Sequence, residues 1–348
     1  MKIYIVIIPR TAIRHRTLKH NIDQFRDGAK VLEVVDVDDQ TPLRFMFGTP
    51  DGLYVVKDKS IFLMQQADHI DPERTNIKVR DVYQKVFPYG FENPIVGKIL
   101  VSGEKLFCSG FMRDAIEQET AMGLILKGTG ILCEMQDLTD KVFEQISGVA
   151  VAEILSGNKG QKLPHTPSLR TNIDIYIRLA DNLRQMLTDF LVAIYKPTEG
   201  KRLLENLRTA IHQKHGDSHG FYVFFDELTP AMLFTRELRN AWEHPKTDRN
   251  VVWKDFAMKS DGKVYSPTIE LVSAEYPQDE MDLGTFMKQY TATLIDQLEA
   301  LIGNACAANC SFGGFKCGVM ELPKELRQHP EARLTCAVFL NGQWQPVG

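Results

Sequence analysis

Arg239-Asn240-Ala241-Trp242-Glu243-His244-Pro245 closes a helix that the sequence predicts from Pro230 to His244. Thr229 stands as its N-cap and Pro230 suits the first helical position. Ala231, Phe234, Leu238 and Ala241 fall on one stripe at helical spacing. At about 100° per residue, Arg236, Arg239, Asn240, Glu243 and His244 land on the other face, with Arg239 and His244 at its margins. Pro245 disfavours helix at the residue before it, which places His244 at the frayed last turn. Arginine is a permanent forked cation that grips phosphate, and histidine moves a proton near neutral pH. The same residues also suit a solvated face, with a terminal histidine favoured by the negative end of the helix dipole. The surrounding pattern decides between these readings.

Outward from this stretch the chain is helical. Leu169, Ile173, Tyr176, Ala180, Leu183, Leu187, Phe190 and Ile194 trace a stripe at alternating four- and three-residue steps, closed by Lys196-Pro197. Lys201 to His215 reads as a second helix with Gly216 behind it, and Phe221–Phe225 as an apolar connector. The Arg/His helix is third. A small β excursion follows at 251–256, 262–264 and 268–272, with Asp261-Gly262 as a hairpin turn. A last helix spans about 282 to 303, carrying Leu283, Met287, Tyr290, Leu294, Leu298 and Leu301 inward. Four amphipathic helices with mostly short connections describe an antiparallel bundle over residues 169–304.

The first half has a different texture. Residues 1–155 read as a β-rich α+β domain of unknown role. Strands are predicted at 2–8, 30–37, 43–47, 53–56 and 60–64, with Gly48–Gly52 as a hairpin turn. Apolar runs at 95–101, 105–111 and 124–134 continue the strand reading, and 81–87 and 113–122 suit short helices. Gly128-Thr129-Gly130 reads as a β-turn, since it lacks the remaining features of a phosphate loop. Residues 140–155 are predicted helical and 156–168, rich in glycine, proline and polar residues, form a linker. The tail, 305–348, is strand-like at Leu334–Leu340. The fold class is therefore α+β: an N-terminal β-rich domain, then a four-helix bundle with a small β insertion.

Composition sets limits on function. The 348 residues are 44% hydrophobic and 25% charged, with a net charge of -4. That balance suits a globular protein and argues against coating nucleic acid by bulk charge, so any contact with it needs a local patch. The apolar run at 3–8 is too short for a signal peptide or a membrane span, and a cytoplasmic location without membrane contact is expected. Six cysteines do not make a disulfide scaffold. Cys108 and Cys133 read as small buried residues in strands. Cys306, Cys310, Cys317 and Cys336 are clustered, but they lack the paired spacing of common zinc sites and read as thiols. His212, His215 and His219 are only loosely metal-like, and His15 and His20 lie in a basic loop or helix. Trp242 borders the core stripe and reads as packing.

A helical bundle carrying Arg-Asn-x3-His at the end of its third helix resembles the HEPN superfamily (higher eukaryotes and prokaryotes nucleotide-binding domain). The matching signature is Arg-x4-6-His, here Arg239 and His244 with Asn240 directly after the arginine. The resemblance covers about residues 169–304 and implies a metal-independent endoribonuclease of the kind found in toxin–antitoxin, antiviral-defence and RNA-processing systems, needing no cofactor. It implies Arg239, Asn240 and His244 as catalytic residues, with Glu243 and Arg236 supporting. It also implies a homodimer with a composite site, RNA as substrate, and an antitoxin or regulatory protein as a further partner. The alternative within this reading is a non-catalytic dimeric nucleotide- or RNA-binding module.

Overall fold

The computed structural model describes residues 21–27, 38–108, 110–112, 114–149, 156–157, 160–200 and 202–347. The strands expected at 2–8 and 30–37, and the His15/His20 stretch, lie outside these residues. The chain is α+β and divides into two compact units, 1–94 and 95–348. The division falls well before the boundary expected near residue 155.

In the first unit α1 (Asn21–Asp27) precedes a four-stranded antiparallel sheet ordered β1 (Phe45–Thr49), β2 (Gly52–Val56), β3 (Ile61–Gln65) and β4 (Val82–Phe87), with a short α2 (Ala67–Ile70) before β4. Thr49 pairs with Gly52 across the expected tight turn. Val55, Phe62 and Met64 form a buried cluster against Leu43, Met46 and Leu53. Residues 81–87, expected as a helix, instead form β4. Val82, Tyr83, Val86 and Phe87 suit a pleated surface, and the edge of β3 supplies the partners Gln65 for Val82 and Met64 for Tyr83. The buried Arg26 guanidinium bonds both Asp68 and Asp71, at 2.9 and 2.8 Å, and so ties α1 to α2 and the loop after it.

The second unit departs most from expectation. Residues 96–101 form a π-helical turn running into α3 (Ser102–Phe107), and α4 spans Gln118–Ser147. None of the three apolar runs expected as strands is one, and Cys133 sits in a helix. Short continuous apolar runs do not distinguish a buried strand from a buried helix. Here Ala121, Ile125, Leu132, Val142 and Ile146 are buried at helical intervals. Gly128-Thr129-Gly130 lies inside α4 rather than in a turn. A side chain at Gly128 would run into Met186 and Leu298, so the glycine serves close helix packing, while the Thr129 hydroxyl donates to Ile125 O at 2.7 Å.

Past a two-residue hairpin, β5 (Ser156–Gly157) and β6 (Gly160–Gln161), come α5 (Leu169–Tyr195), α6 (Leu203–His215) and α7 (Gly220–Glu243). Gly216, at φ +83°, ends α6. Next are β7 (Asn250–Lys254), the hairpin β8 (Ala257–Met258) and β9 (Val264–Tyr265), β10 (Thr268–Val272) and β11 (Gln278–Asp282). Strands β11-β10-β7 make one sheet. Helix α8 (Leu283–Asn309) is capped by Asp282, which accepts from Thr285 N at 2.7 Å. The tail is a structured sheet of β12 (Cys317–Glu321), β13 (Leu334–Leu340) and β14 (Gln343–Pro346), packed on α3 and α8.

Four long helices close a ring of contacts: α4 on α5, α5 on α7, α7 on α8 and α8 on α4. The expected set was α5, α6, α7 and α8. In the structure α6 packs on α5 and α7, while α4, from the half expected to be β-rich, occupies the ring. A buried polar line runs through it. The Tyr176 hydroxyl on α5 donates to Met287 O at 2.9 Å and meets Thr291 Oγ1 at 3.0 Å, and Thr291 meets Thr139 of α4 at 3.2 Å.

Candidate functional site

Helix α7 is longer than its sequence signals. Pro230 lies inside it, and Thr229 donates its hydroxyl to Phe225 O at 2.8 Å instead of capping. The true N-cap is His219, whose Nδ1 accepts from Phe221 N at 3.1 Å. Phe221, Phe225 and Leu228 continue the buried stripe of Met232, Thr235, Leu238 and Ala241 at four- and three-residue steps. Burying each large apolar side chain contributes roughly 1.5–3 kcal/mol. Together they exceed the ~3 kcal/mol that an interior proline costs. The stripe is rotated from expectation, for Ala231 and Phe234 are only half-buried.

The C-terminal end of α7 lies where the sequence put it. His244 is the C-cap, at φ -132° and ψ 63°, and its amide still bonds Asn240 O at 2.9 Å. Lys246 N donates to Arg249 O at 2.6 Å in the turn that leads into β7. Arg239 Nη2 lies 2.6 Å from Glu243 Oε2, and Arg239 Nη1 donates to Asn240 Oδ1 at 3.4 Å. The structure thus brings Arg239, Asn240 and Glu243 into contact. His244 joins them through its backbone, with an exposed imidazole on the opposite margin of the polar face, and Arg236 is exposed one turn earlier. Arg239 and His244 thus stand at the same helix end. The arrangement can present a cation and a proton-transfer group to a molecule that spans the face.

Beside this face lies a cleft of about 490 Å³ lined by Arg170, Thr171, Asp174, Trp242, Pro245, Asn250, Val251 and Trp253. Trp242 is more than packing: it is half-buried, lines the cleft and donates its indole N–H to Asp174 Oδ1 of α5 at 2.7 Å. Arg178 Nε stands 3.2 Å from Asp174 Oδ2. Asp174 and Trp253 did not stand out in the sequence. No local period links residues 174, 242 and 253, and the one signal was the Asp174/Arg178 spacing of a helix ion pair.

The other candidates have structural work. His215 Nε2 meets the Tyr195 hydroxyl at 3.1 Å and its ring stacks on His219 with centroids 4.6 Å apart. Burial, then the charges of His219 and Lys214, push the His215 imidazole down. Cys306 and Cys336 are buried with sulfurs 3.8 Å apart, and both thiols donate toward Leu106 O. Among the described residues no group of three or more His, Cys, Asp or Glu side chains is arranged to hold a metal ion, and no helix is long and apolar enough to cross a membrane. Comparison with protein-family models, with curated proteins and with solved structures finds no match.

Proposed function

We propose that the protein is a metal-independent endoribonuclease and that the end of α7 is its catalytic face. The observation that carries this reading is the clustering of Arg239, Asn240 and His244 at one solvent-accessible helix end. It is the arrangement that the resemblance to HEPN ribonucleases implies. RNA carries its own nucleophile. The 2′-hydroxyl oxygen attacks the adjacent phosphorus, the O2′–P bond forms, the P–O5′ bond breaks, and a 2′,3′-cyclic phosphate and a 5′-hydroxyl result.

His244 acts in proton transfer, removing the 2′-proton or protonating the departing 5′-oxygen. Arg239 stabilises the charge that builds on the phosphate oxygens, and Asn240 orients the group or donates to it. Arg236 adds long-range attraction for the backbone, and Glu243 holds Arg239 until phosphate replaces it. One histidine serves one of the two transfers. A second copy of the chain, paired about a two-fold axis across this face, supplies the other.

The Arg239–Glu243 pair also favours a second reading, in which the face binds nucleotide or RNA without cleaving it, since an arginine shared with a carboxylate can attract phosphate yet lend less charge to a transition state. Total and transfer RNA incubated in EDTA with wild type, His244→Ala and Arg239→Ala, with product ends mapped and oligomeric state measured, separates the two. Cyclic-phosphate ends from wild type alone support the enzyme. RNA that is bound but intact with wild type, and bound less tightly by Arg239→Ala, supports the binding module.

A further inference from the structure

The cleft beside the α7 terminus has chemistry of its own. Two indoles line it, and the molecule has only three tryptophans. Aromatic side chains stack on bases of any identity, each contributing roughly 1–3 kcal/mol. At about 490 Å³ the cleft is the size of a site for a small planar ligand, not of a macromolecular groove.

Asp174 gives the cleft its selectivity. The carboxylate is about one-third exposed (32%), so it faces the cleft rather than the core. Oδ1 accepts from Trp242 Nε1 at 2.7 Å, and Oδ2 has Arg178 Nε as its ion-pair neighbour at 3.2 Å. A carboxylate offers about four acceptor positions. One remains on each oxygen, a pair that matches two parallel N–H donors on a planar edge. Guanine presents such a pair, N1–H beside the N2 amino group, whereas adenine, cytosine and uracil present no two adjacent, parallel N–H donors on one edge. The Trp242 bond and the Arg178 ion pair hold the carboxylate at the edge of the cleft. Arg170, exposed in the first turn of α5, adds positive charge to the rim.

We propose that this cleft binds a guanine base, stacked on Trp242 or Trp253 with N1–H and N2–H donated to Asp174. This inference rests on the ribonuclease reading for its purpose: the guanine belongs to the RNA strand whose neighbouring phosphate reaches Arg239 and His244, three residues either side of Trp242 or closer. Guanine recognition then sets where the strand is cut.

The test uses the full chain with Trp344→Phe, which leaves indole emission to the two cleft tryptophans. Guanosine 5′-monophosphate is titrated beside the adenosine, cytidine and uridine monophosphates and ribose 5-phosphate. Saturable quenching by the guanosine nucleotide is expected at about tenfold lower concentration than by the others, given the worth of a bidentate pair. Asp174→Asn, which keeps an acceptor for Trp242, loses that preference. Trp253→Leu weakens all four nucleotides, with thermal midpoints of both variants within a few degrees of the parent. His244→Ala retains guanosine binding.

Equal response to all four nucleotides, or a response to ribose 5-phosphate alone, overturns the guanine assignment. So does a preference that survives both Asp174→Asn and Trp253→Leu. The two readings fail separately. His244-dependent cleavage with no guanine next to the cuts sinks the cleft proposal alone. Asp174-dependent guanosine binding with no RNA cleavage supports the cleft and sinks the nuclease.

Discussion

Arg239 Nη2 and Glu243 Oε2 stand 2.6 Å apart, one turn from each other on α7, so the cation expected to meet phosphate is already paired. Both side chains are partly exposed, and an exposed i,i+4 pair contributes only about 0.3–0.5 kcal/mol. Phosphate can therefore displace Glu243 at little cost. Glu243→Gln removes the competitor and leaves the shape. RNA cleavage by this variant is expected with KM lowered about threefold and kcat within about twofold of wild type, because only ground-state binding changes. Arg239→Ala is expected to lower kcat/KM by a factor of at least about 100, the cost of losing one charge-stabilising donor. Steady-state kinetics on one short RNA checks both. A Glu243→Gln variant as damaged as Arg239→Ala would show that the carboxylate takes part in the reaction.

Glu299 of α8 is buried (1% exposed) and is held by Arg333, with N–O distances of 2.7 and 2.6 Å, and by Lys98 at 3.4 Å. This carboxylate ties α8 to the π-helical turn and to the start of β13. Breaking one side leaves a buried charge only partly compensated, which costs about 3–5 kcal/mol when the pairing is lost outright. Arg333→Ala retains Lys98, so about 2 kcal/mol is expected. Glu299→Gln, which removes the charge itself, should cost less. Urea denaturation followed by the tryptophan emission of this unit measures both, and a negligible loss in Arg333→Ala would show that Glu299 is held chiefly by packing.

Legibility in the sequence followed the range of the signals. The α5 stripe from Leu169 to Ile194, the α8 stripe from Leu283 to Leu301 and the β1–β2 turn are local periodic patterns, and each stands where it was expected. The middle of helix α4, between the helical ends expected at 113–122 and 140–155, was missed because two glycines at 128 and 130 look like a turn unless Met186 and Leu298 are known to press against the first of them. Pro230 misled in the same way, since the burial of Phe221, Phe225 and Leu228 that carries α7 through it is tertiary. At the candidate site, the Arg239–Asn240–Glu243 contacts follow from helix spacing alone. The Trp242–Asp174 bond spans 68 residues of chain and had no local signal.

Asp39 in the first unit supplies a pH dependence. Burial pushes its carboxyl up, but hydrogen bonds from the Thr41 and Ser60 hydroxyls and from the Lys59 and Thr41 amides outweigh it and hold it down at about 2, against an ordinary value of 3.8. A carboxyl whose folded value is depressed stabilises the fold above its unfolded value, and that stability is lost as pH falls through the folded one. The contribution is about 2 kcal/mol, present above roughly pH 4 and lost toward pH 2. Asp39→Asn should lower the stability of this unit at neutral pH and flatten its acid dependence in that window. Hydrogen exchange of residues 53–60 as a function of pH reads it locally, and identical pH profiles for the two proteins would overturn the assignment.

Thiol chemistry offers an independent check on α4 and on the end of α8. Burial first, and the nearby Asp137 and Glu134 carboxylates second, push the Cys133 thiol up to about 12. Burial and Glu104 do the same for Cys108. Cys310, half-buried at the end of α8, moves the other way through its interaction with the neighbouring Cys306 thiol. The thiolate is the nucleophile, and a rise from 9 to about 12 cuts its population about a thousandfold at neutral pH. Iodoacetamide under native conditions is therefore expected to modify Cys310 first, and Cys133 and Cys108 only as slowly as the fold opens. Had residues 124–134 formed an exposed strand and turn, Cys133 would react early. Peptide mass spectrometry over a time course distinguishes the orders, and modification of Cys133 ahead of Cys310 would contradict the placement of α4 in the helical ring.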